Sequence, residues 1–236
     1  MYDPPIHLYK TALMQRLIDA VSRGYLHHTS GTVPLRKAQR MAEKFAQRYG
    51  IHFNTNQRAY AKRQGRANAR LFLLAYEHSD ELDWWLLVTP GSGQVHEEER
   101  LHLAADRRHR IRIQDDYELL RAPRRKRHGG RHVWTWRMTR QCYTTWRHRL
   151  IEACRARSPR RITESLQSLR RVPGFSGTRQ QTIELLRLAQ HEWRRRHGDV
   201  SLPGGQIRLP YVERTASNTI RLSELLMENG LAAETD

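Results

Sequence analysis

Two short blocks of the sequence are apolar on both of the faces that alternate along an extended chain. They are ARLFLLAY at 69–76 and DWWLLVT at 83–89, with the acidic stretch EHSDEL between them. Strands that are buried on both faces have this character, whereas a strand with one solvated face alternates apolar and polar residues. The blocks therefore predict two central strands of a sheet, joined by an acidic turn.

Apolar periodicity and breaker residues predict the other elements of the first part. They are helices over 6–22, 34–49 and 96–105, strands over 25–31, within 111–122 and over 132–138, and a polar and basic loop or extended arm over 51–68. Pro34 suits the start of the second helix, where its missing N–H has no partner to lose, and Gly50 ends it.

Beyond residue 138 the spacing is helical. The predicted helices run from the cap Thr139 to about Ala156, from Ile162 to Arg171, from a Thr178–Gln181 capping box to His197, and from Ile220 to Asn229. The predicted fold class is α+β, with an N-terminal helix and a small mixed β-sheet unit over 1–138 and an all-helical part over 139–236. No Pro-, Gly- or Ser-rich linker separates these parts, so we expect them to share one compact body.

The charge of the chain is strongly positive. The 42 Lys and Arg, of which 37 are Arg, exceed the 24 Asp and Glu and give a formal charge of +18. A GC-rich genome accounts for the preference for Arg over Lys but not for the excess of positive charge. With 38% apolar residues the chain can build a core. Such a charge predicts a negatively charged partner.

The stretch RHVWTWRMTRQCYTTWRHRL at 131–150 holds three Trp and one Tyr among five Arg and two His, without an acid. Alternation along 132–138 puts Trp134, Trp136 and Met138 on one face of a strand. From 131 to 161 there are nine Arg against the single acid Glu152. We interpret the stretch as an aromatic core element with a cationic surface in front of it.

A second basic pattern lies on the predicted helix 34–49. Arg36, Arg40, Lys44 and Arg48 follow each other at four-residue spacing, where like charges destabilise a helix slightly. A solvated face is the alternative to a phosphate-binding one. Acids gather instead at 77–106, with eight Asp and Glu against one Arg, which indicates a positive and a negative face.

Residues 162–197 are compatible with a helix-turn-helix, although the intervening VPGFSG is longer than the usual turn. Its second helix would begin with Arg179, Gln180 and Gln181, and recognition helices read bases with their first residues. We then expect Arg179→Ala to relax a sequence preference. The alternatives are a capped core helix and a helix N-terminus that holds a phosphate.

Signals for an enzyme are poor. HEEERLH at 96–102 has its two His six residues apart, not the four that a zinc-protease helix needs, and GFSG is not a nucleophile elbow. His28 and His132 are the candidates for a general base in a nuclease. We predict no catalytic residue, no metal site and no cofactor.

The compartment is predicted from cysteines and apolar runs. Cys142 and Cys154, on one predicted helix, would lie roughly 18 Å apart, too far for a disulfide. That favours a reducing compartment. The longest apolar run, Trp84–Val88, is too short for a membrane span. We expect a cytoplasmic protein with no membrane contact.

Two motifs carry a resemblance to other proteins. WTWRMT at 134–139 and GFSGTRQQ at 174–181 make the chain similar to uncharacterised proteins of proteobacterial integrative conjugative elements and plasmids. The resemblance is confined to these two motifs. It implies a mobile-element setting, in maintenance, transfer or transcriptional control, and it implies no catalytic residue.

The sequence thus predicts a nucleic-acid-binding accessory or regulatory protein, with duplex DNA as the preferred partner. The expected contact residues are Arg36, Arg40, Lys44, Arg124, Arg125, Lys126, Arg127, Arg131, Arg137, Arg140, Arg147, Arg179, Gln180 and Gln181. Three alternatives stay open: an RNA-binding protein that stacks bases on aromatics such as Trp136, a nuclease or DNA-processing enzyme, and a scaffold for an acidic protein.

Overall fold

The computed structural model describes residues 2–123, 132–156, 158–214 and 218–231. The chain divides into two compact units, residues 1–111 with 214–236 (the first unit) and residues 112–213 (the second unit). Residue 138, where the sequence placed a boundary, lies within the second unit.

The described residues form eight helices and nine strands. In chain order they are β1 (Pro5–His7), α1 (Lys10–Ser22), β2 (His27–Pro34), α2 (Leu35–Tyr49), α3 (Thr55–Arg63), β3 (Ala69–Ala75), β4 (Glu81–Val88), α4 (Gln94–Glu98), β5 (His102–Leu103), β6 (Arg112–Ile113), β7 (Tyr117–Pro123), β8 (His132–Met138), α5 (Arg140–Arg155), α6 (Pro159–Arg170), α7 (Ser176–His197), β9 (Thr219–Arg221) and α8 (Leu222–Glu228).

The first unit is built on a six-stranded sheet in the order β5-β2-β4-β3-β1-β9. β1 runs parallel to β3, and the other neighbours are antiparallel. The two apolar blocks form β3 and β4 at the centre, as the sequence predicts. Leu73 packs with Ala38 and Ala42 of α2, while Leu74, on the opposite face, is also fully buried. Helix α1 packs on β3 and β1.

The second unit has its own antiparallel sheet, in the order β6-β7-β8, and three helices. α5 packs on both α6 and α7, and α7 packs on β8. Trp136 and Met138 are fully buried, as the alternation predicts. A base cannot stack on a Trp136 ring with no exposed surface, so that part of the RNA-binding alternative is wrong.

The predicted fold class is wrong in its C-terminal part. The chain has a mixed α/β architecture with two sheets, and the residues after 138 are not all helical, because Ile220 lies in β9 and pairs with Ile6 of β1. A strand of three residues is too short to show a periodicity. The sequence pattern therefore extends the terminal helix to Ile220, whereas α8 begins at Leu222.

Two shorter segments also differ from expectation. Residues 51–68 contain α3, which a capping box between Asn54 and Gln57 begins, rather than only a loop. The helix expected over 96–105 is shorter and ends at Glu98, and His102–Leu103 then pairs with β2 as β5.

Candidate nucleic-acid interface

Positive charge is concentrated in the second unit. Its residues hold 23 Lys and Arg against nine Asp and Glu, a formal +14, whereas the first unit holds 19 against 15, a formal +4. The first unit is much closer to charge balance than the second. The second unit is therefore the better candidate for a polyanion-binding surface.

Helix α5 is fixed at its N-terminus and along its inner side. The Thr139 hydroxyl oxygen accepts a hydrogen bond from the Cys142 backbone N–H, and the helix ends before Ala156, as predicted. Leu150, Ala153 and Cys154 are buried. Burial raises the pKa of the Cys154 thiol to about 11, so this cysteine is a neutral core residue.

Beside its buried side, α5 has an exposed side that is basic. Arg140, Thr144 and Arg147 are three or four positions apart and share one side of the helix, and His148 lies beside them. Among the described residues, no carboxylate forms an ion pair with Arg140 or Arg147. The first acid of the helix is Glu152. Two guanidinium groups are thus presented to solvent with free donors.

The predicted stripe on α2 also lies at the surface of its unit. Arg36, Arg40 and Lys44 are exposed, and no described carboxylate forms an ion pair with them. The fourth member, Arg48, differs because it donates a hydrogen bond of 2.8 Å to Glu98. The stripe therefore offers three cations rather than four.

The sequence predicted the basic character of residues 51–68 but not the helix α3 within them, nor these residues as candidate contacts. Lys62, Arg63 and Arg66 are exposed in and after this helix, and the Arg66 guanidinium lies 5.7 Å from the ring centre of Tyr60, which is 52% exposed. An exposed aromatic ring beside a cation suits base stacking as well as phosphate contact. The signal for this helix is the Asn54–Gln57 spacing at the start of the segment.

Arg137 is engaged within the second unit. It donates a hydrogen bond of 2.6 Å to the carboxylate of Glu118, a residue only 6% exposed. A carboxylate buried to this degree needs a charged or hydrogen-bonding partner. The geometry therefore favours a structural role for Arg137 over a phosphate contact.

Helix α7 does not present the base-reading residues as the sequence suggested. The side-chain amide of Gln181 bonds to the backbone N–H and C=O of Met138. The Arg179 guanidinium donates to the Leu209 carbonyl and lies 3.9 Å from the ring centre of Tyr211. Only Gln180 is exposed, with its amide 3.3 Å from Glu184.

The predicted capping box at Thr178 is also wrong. α7 begins at Ser176, so Thr178 lies inside the first turn, is fully buried and donates its hydroxyl to the Pro173 and Phe175 carbonyls. α6 and α7, the two helices of the proposed helix-turn-helix, each pack on α5. The alternative of a core helix whose GFSG loop sets its packing fits these contacts.

The two motifs behind the resemblance contact each other. The Thr135 hydroxyl oxygen accepts hydrogen bonds from the Ser176 hydroxyl and the Gly177 backbone N–H. A Cβ on Gly177 would lie 2.5 Å from the Trp136 carbonyl oxygen, so only glycine allows this approach. WTWRMT and GFSGTRQQ therefore form the contact that holds the start of α7 against β8.

Five of the expected contact residues cannot be placed. Arg124, Arg125, Lys126, Arg127 and Arg131 lie outside the described residues. They stay predictions from the sequence.

A group of histidines lies where β2 meets β5. The rings of His102 and His109 are stacked at 4.0 Å, and His109 is 2.9 Å from Asp106. His28 is 4% exposed, contacts the His109 carbonyl and has a pKa lowered to about 4 by burial. Its ring is neutral at pH 7. His132, the other candidate base, is exposed on β8.

The described part of the chain has neither a metal-binding cluster nor a membrane-spanning helix. No three or more His, Cys, Asp or Glu side chains there are arranged to hold a metal ion. No helix there has both the length and the apolar character needed to cross a bilayer.

Comparisons of the chain with protein-family models, with curated proteins and with solved structures gave no match. The functional assignment therefore depends on the geometry and charge of the chain itself.

Proposed function

We propose that the protein binds nucleic acid, with duplex DNA as its preferred partner, through phosphate contacts on α5 and α2. The observation that carries the proposal is the exposed side of α5, where Arg140 and Arg147 have no carboxylate in an ion pair among the described residues. Guanidinium groups with free donors match phosphate oxygens in geometry and charge.

The uneven charge of the two units supports the same assignment. A formal +14 on the second unit raises the local concentration of a polyanion and speeds its association. Arg36, Arg40 and Lys44 on the first unit add a further contact surface to the proposal. Binding of this kind weakens with salt, with a slope of log K on log salt of about −0.9 per phosphate contacted.

The biological setting is part of the proposal. The resemblance of the two motifs favours an accessory or regulatory protein of a mobile genetic element, such as a plasmid or a conjugative element, acting in the cytoplasm. An acidic protein partner is the alternative that would use the same cations, because a carboxylate-rich surface also pairs with guanidinium groups.

The test compares two double variants that remove the same charge. Arg140→Gln with Arg147→Gln removes the free guanidinium groups of α5. Arg160→Gln with Arg195→Gln removes two that are already paired, at 2.7 Å, with Glu164 and Glu192. Fluorescence anisotropy of labelled duplex DNA, single-stranded DNA and RNA is measured over a salt series.

We expect the α5 variant to lose about two phosphate contacts, which reduces the magnitude of the slope of log K on log salt by roughly 1.8. The paired-arginine variant should change this slope less. Equal effects would mean that only net charge matters. A chain that binds none of the three nucleic acids at low salt would refute the proposal and favour an acidic protein partner.

A further inference from the structure

The exposed side of α5 carries residue types that read bases as well as residues that hold phosphates. Arg140, Gln141, Thr144, Arg147 and His148 are all exposed and lie within the first three turns. Arg pairs with guanine, Gln with adenine, and Thr contacts either base edges or the thymine methyl group. We infer that α5 is the helix that enters the major groove of B-form DNA and contacts base edges there, an inference that rests on the proposed function.

The dimensions of the helix fit the groove. α5 has 16 residues and is about 24 Å long, and Arg140 and Arg147 lie about 10 Å apart along its axis. The major groove is about 12 Å wide and admits one α-helix. α6 and α7 pack on α5, and the side that carries Arg140, Thr144 and Arg147 stays exposed and is the one available to a duplex.

A short residue at the centre of this side allows close approach. Thr144 lies four positions after Arg140 and three before Arg147, so two long cations flank a short side chain. Such an arrangement lets the backbone of the helix approach the base edges while the arginines reach outward to bases or phosphates. A bulky residue at 144 would hold the helix away from the floor of the groove.

The other helices of the second unit present less suitable surfaces. α7 exposes Glu184 and Ile183, the latter 37% exposed, and its Arg179 and Gln181 are held by contacts within the unit. On α6 the exposed Arg160 is paired with Glu164, so the exposed Arg161 and Arg170 share their helix with a surface carboxylate. In α5 no acid precedes Glu152, so its first three turns bring no carboxylate towards the phosphates.

The inference also predicts which duplex is bound. The major groove of A-form RNA is deep and narrow, and a helix cannot reach the bases in it. A helix that depends on groove entry therefore prefers a DNA duplex to an RNA duplex of the same sequence. Cations that contact phosphates from outside would show much less of this preference.

The test separates groove entry from phosphate binding. Binding of the full chain to a labelled random-sequence DNA duplex is measured with methyl green, which occupies the major groove, and with netropsin, which occupies the minor groove. The variant Thr144→Trp adds bulk without changing charge, and Gln190→Trp, at an exposed position of α7, is its matched control. Circular dichroism and thermal melting confirm that both variants fold.

We expect methyl green to displace the protein, netropsin to leave it bound, and Thr144→Trp to weaken DNA binding by about tenfold or more with Gln190→Trp unchanged. If the chain binds DNA with a steep salt slope but Thr144→Trp has no effect, the inference fails and the proposed function stands. Displacement by netropsin, or equal affinity for an RNA duplex, would also overturn it. Loss of all binding by the unaltered chain would overturn both.

Discussion

Gln181 closes the free edge of strand β8 at Met138. Its side-chain oxygen accepts a hydrogen bond of 2.7 Å from the Met138 backbone N–H, and its amide nitrogen donates one of 3.1 Å to the Met138 carbonyl. β8 is the last strand of its sheet, so these two groups have no strand beside them. One side chain of α7 thus supplies the pair of hydrogen bonds that a neighbouring strand would make.

Gln181→Ala is expected to destabilise the second unit. The substitution leaves both backbone groups of a buried residue without their partner, which costs about 1–3 kcal/mol. Amide hydrogen exchange of the peptide over 132–138, followed by mass spectrometry, should show faster exchange than in the unaltered chain. Gln180→Ala, at the exposed neighbouring position, is the control and should exchange as the unaltered chain does. Unchanged exchange in Gln181→Ala would contradict the role.

Strong local patterns in the sequence predicted part of this architecture. The two apolar blocks became β3 and β4 because burial on both faces leaves few alternatives for such strands. Thr139 was identified as the cap of α5 because its hydroxyl can satisfy a free backbone N–H of the first turn. The free cations of α5 followed from the absence of acids beside them.

The features that the sequence did not predict depend on contacts between residues that are far apart in the chain. β9 is a strand only because Ile6 and Ile220, more than 200 residues apart, lie side by side in the sheet. Gln181 and Arg179 have side chains typical of a recognition helix, and their partners, Met138 and Leu209, are distant in the sequence. A pattern read within one helix cannot reveal that its side chains are already bound elsewhere in the unit.

Arg179→Ala is expected to lower stability. The change removes a hydrogen bond to the Leu209 carbonyl and a cation–π contact with Tyr211, together about 1–2 kcal/mol. Urea unfolding of the variant should show an earlier midpoint. Arg187→Ala, at an exposed position of the same helix, should leave the midpoint unchanged. A variant with unaltered stability but relaxed base preference would restore the recognition role that the sequence suggested.

Stability is expected to fall as the pH is lowered from about 6.5 towards 4. Burial lowers the pKa of His7 and of His28 to about 4, so the unfolded chain binds their protons at a higher pH than the folded chain does. Each histidine then removes about 2 kcal/mol of stability by pH 5, before the carboxylates titrate. Unfolding by urea at a series of pH values measures the slope.

Substitution of His28 tests whether this residue causes the dependence of stability on pH. His28→Gln keeps a hydrogen-bond donor for the His109 carbonyl but cannot be protonated. Unfolding near pH 5 should then take up about one proton fewer, so the free energy of unfolding should depend less on pH. His78→Gln, which alters an exposed histidine in the β3–β4 turn, should keep the full dependence. If His28→Gln retained the slope of the unaltered chain, the buried ring would not be its source.

Substitutions of Arg137 and Arg147 are expected to have different effects, the first on stability and the second on DNA binding. Arg137→Gln takes the arginine from the buried carboxylate of Glu118 and should lower stability by about 2 kcal/mol, a loss that adding Glu118→Gln partly restores. Arg147→Gln removes an exposed cation without an ion pair among the described residues, so it should lower DNA affinity and the salt slope by about one contact while stability stays unchanged. Chemical unfolding and anisotropy titrations on both variants measure the two effects. If Arg137→Gln instead lost DNA binding while its stability stayed unchanged, the phosphate contact would lie on β8 and not on the exposed side of α5.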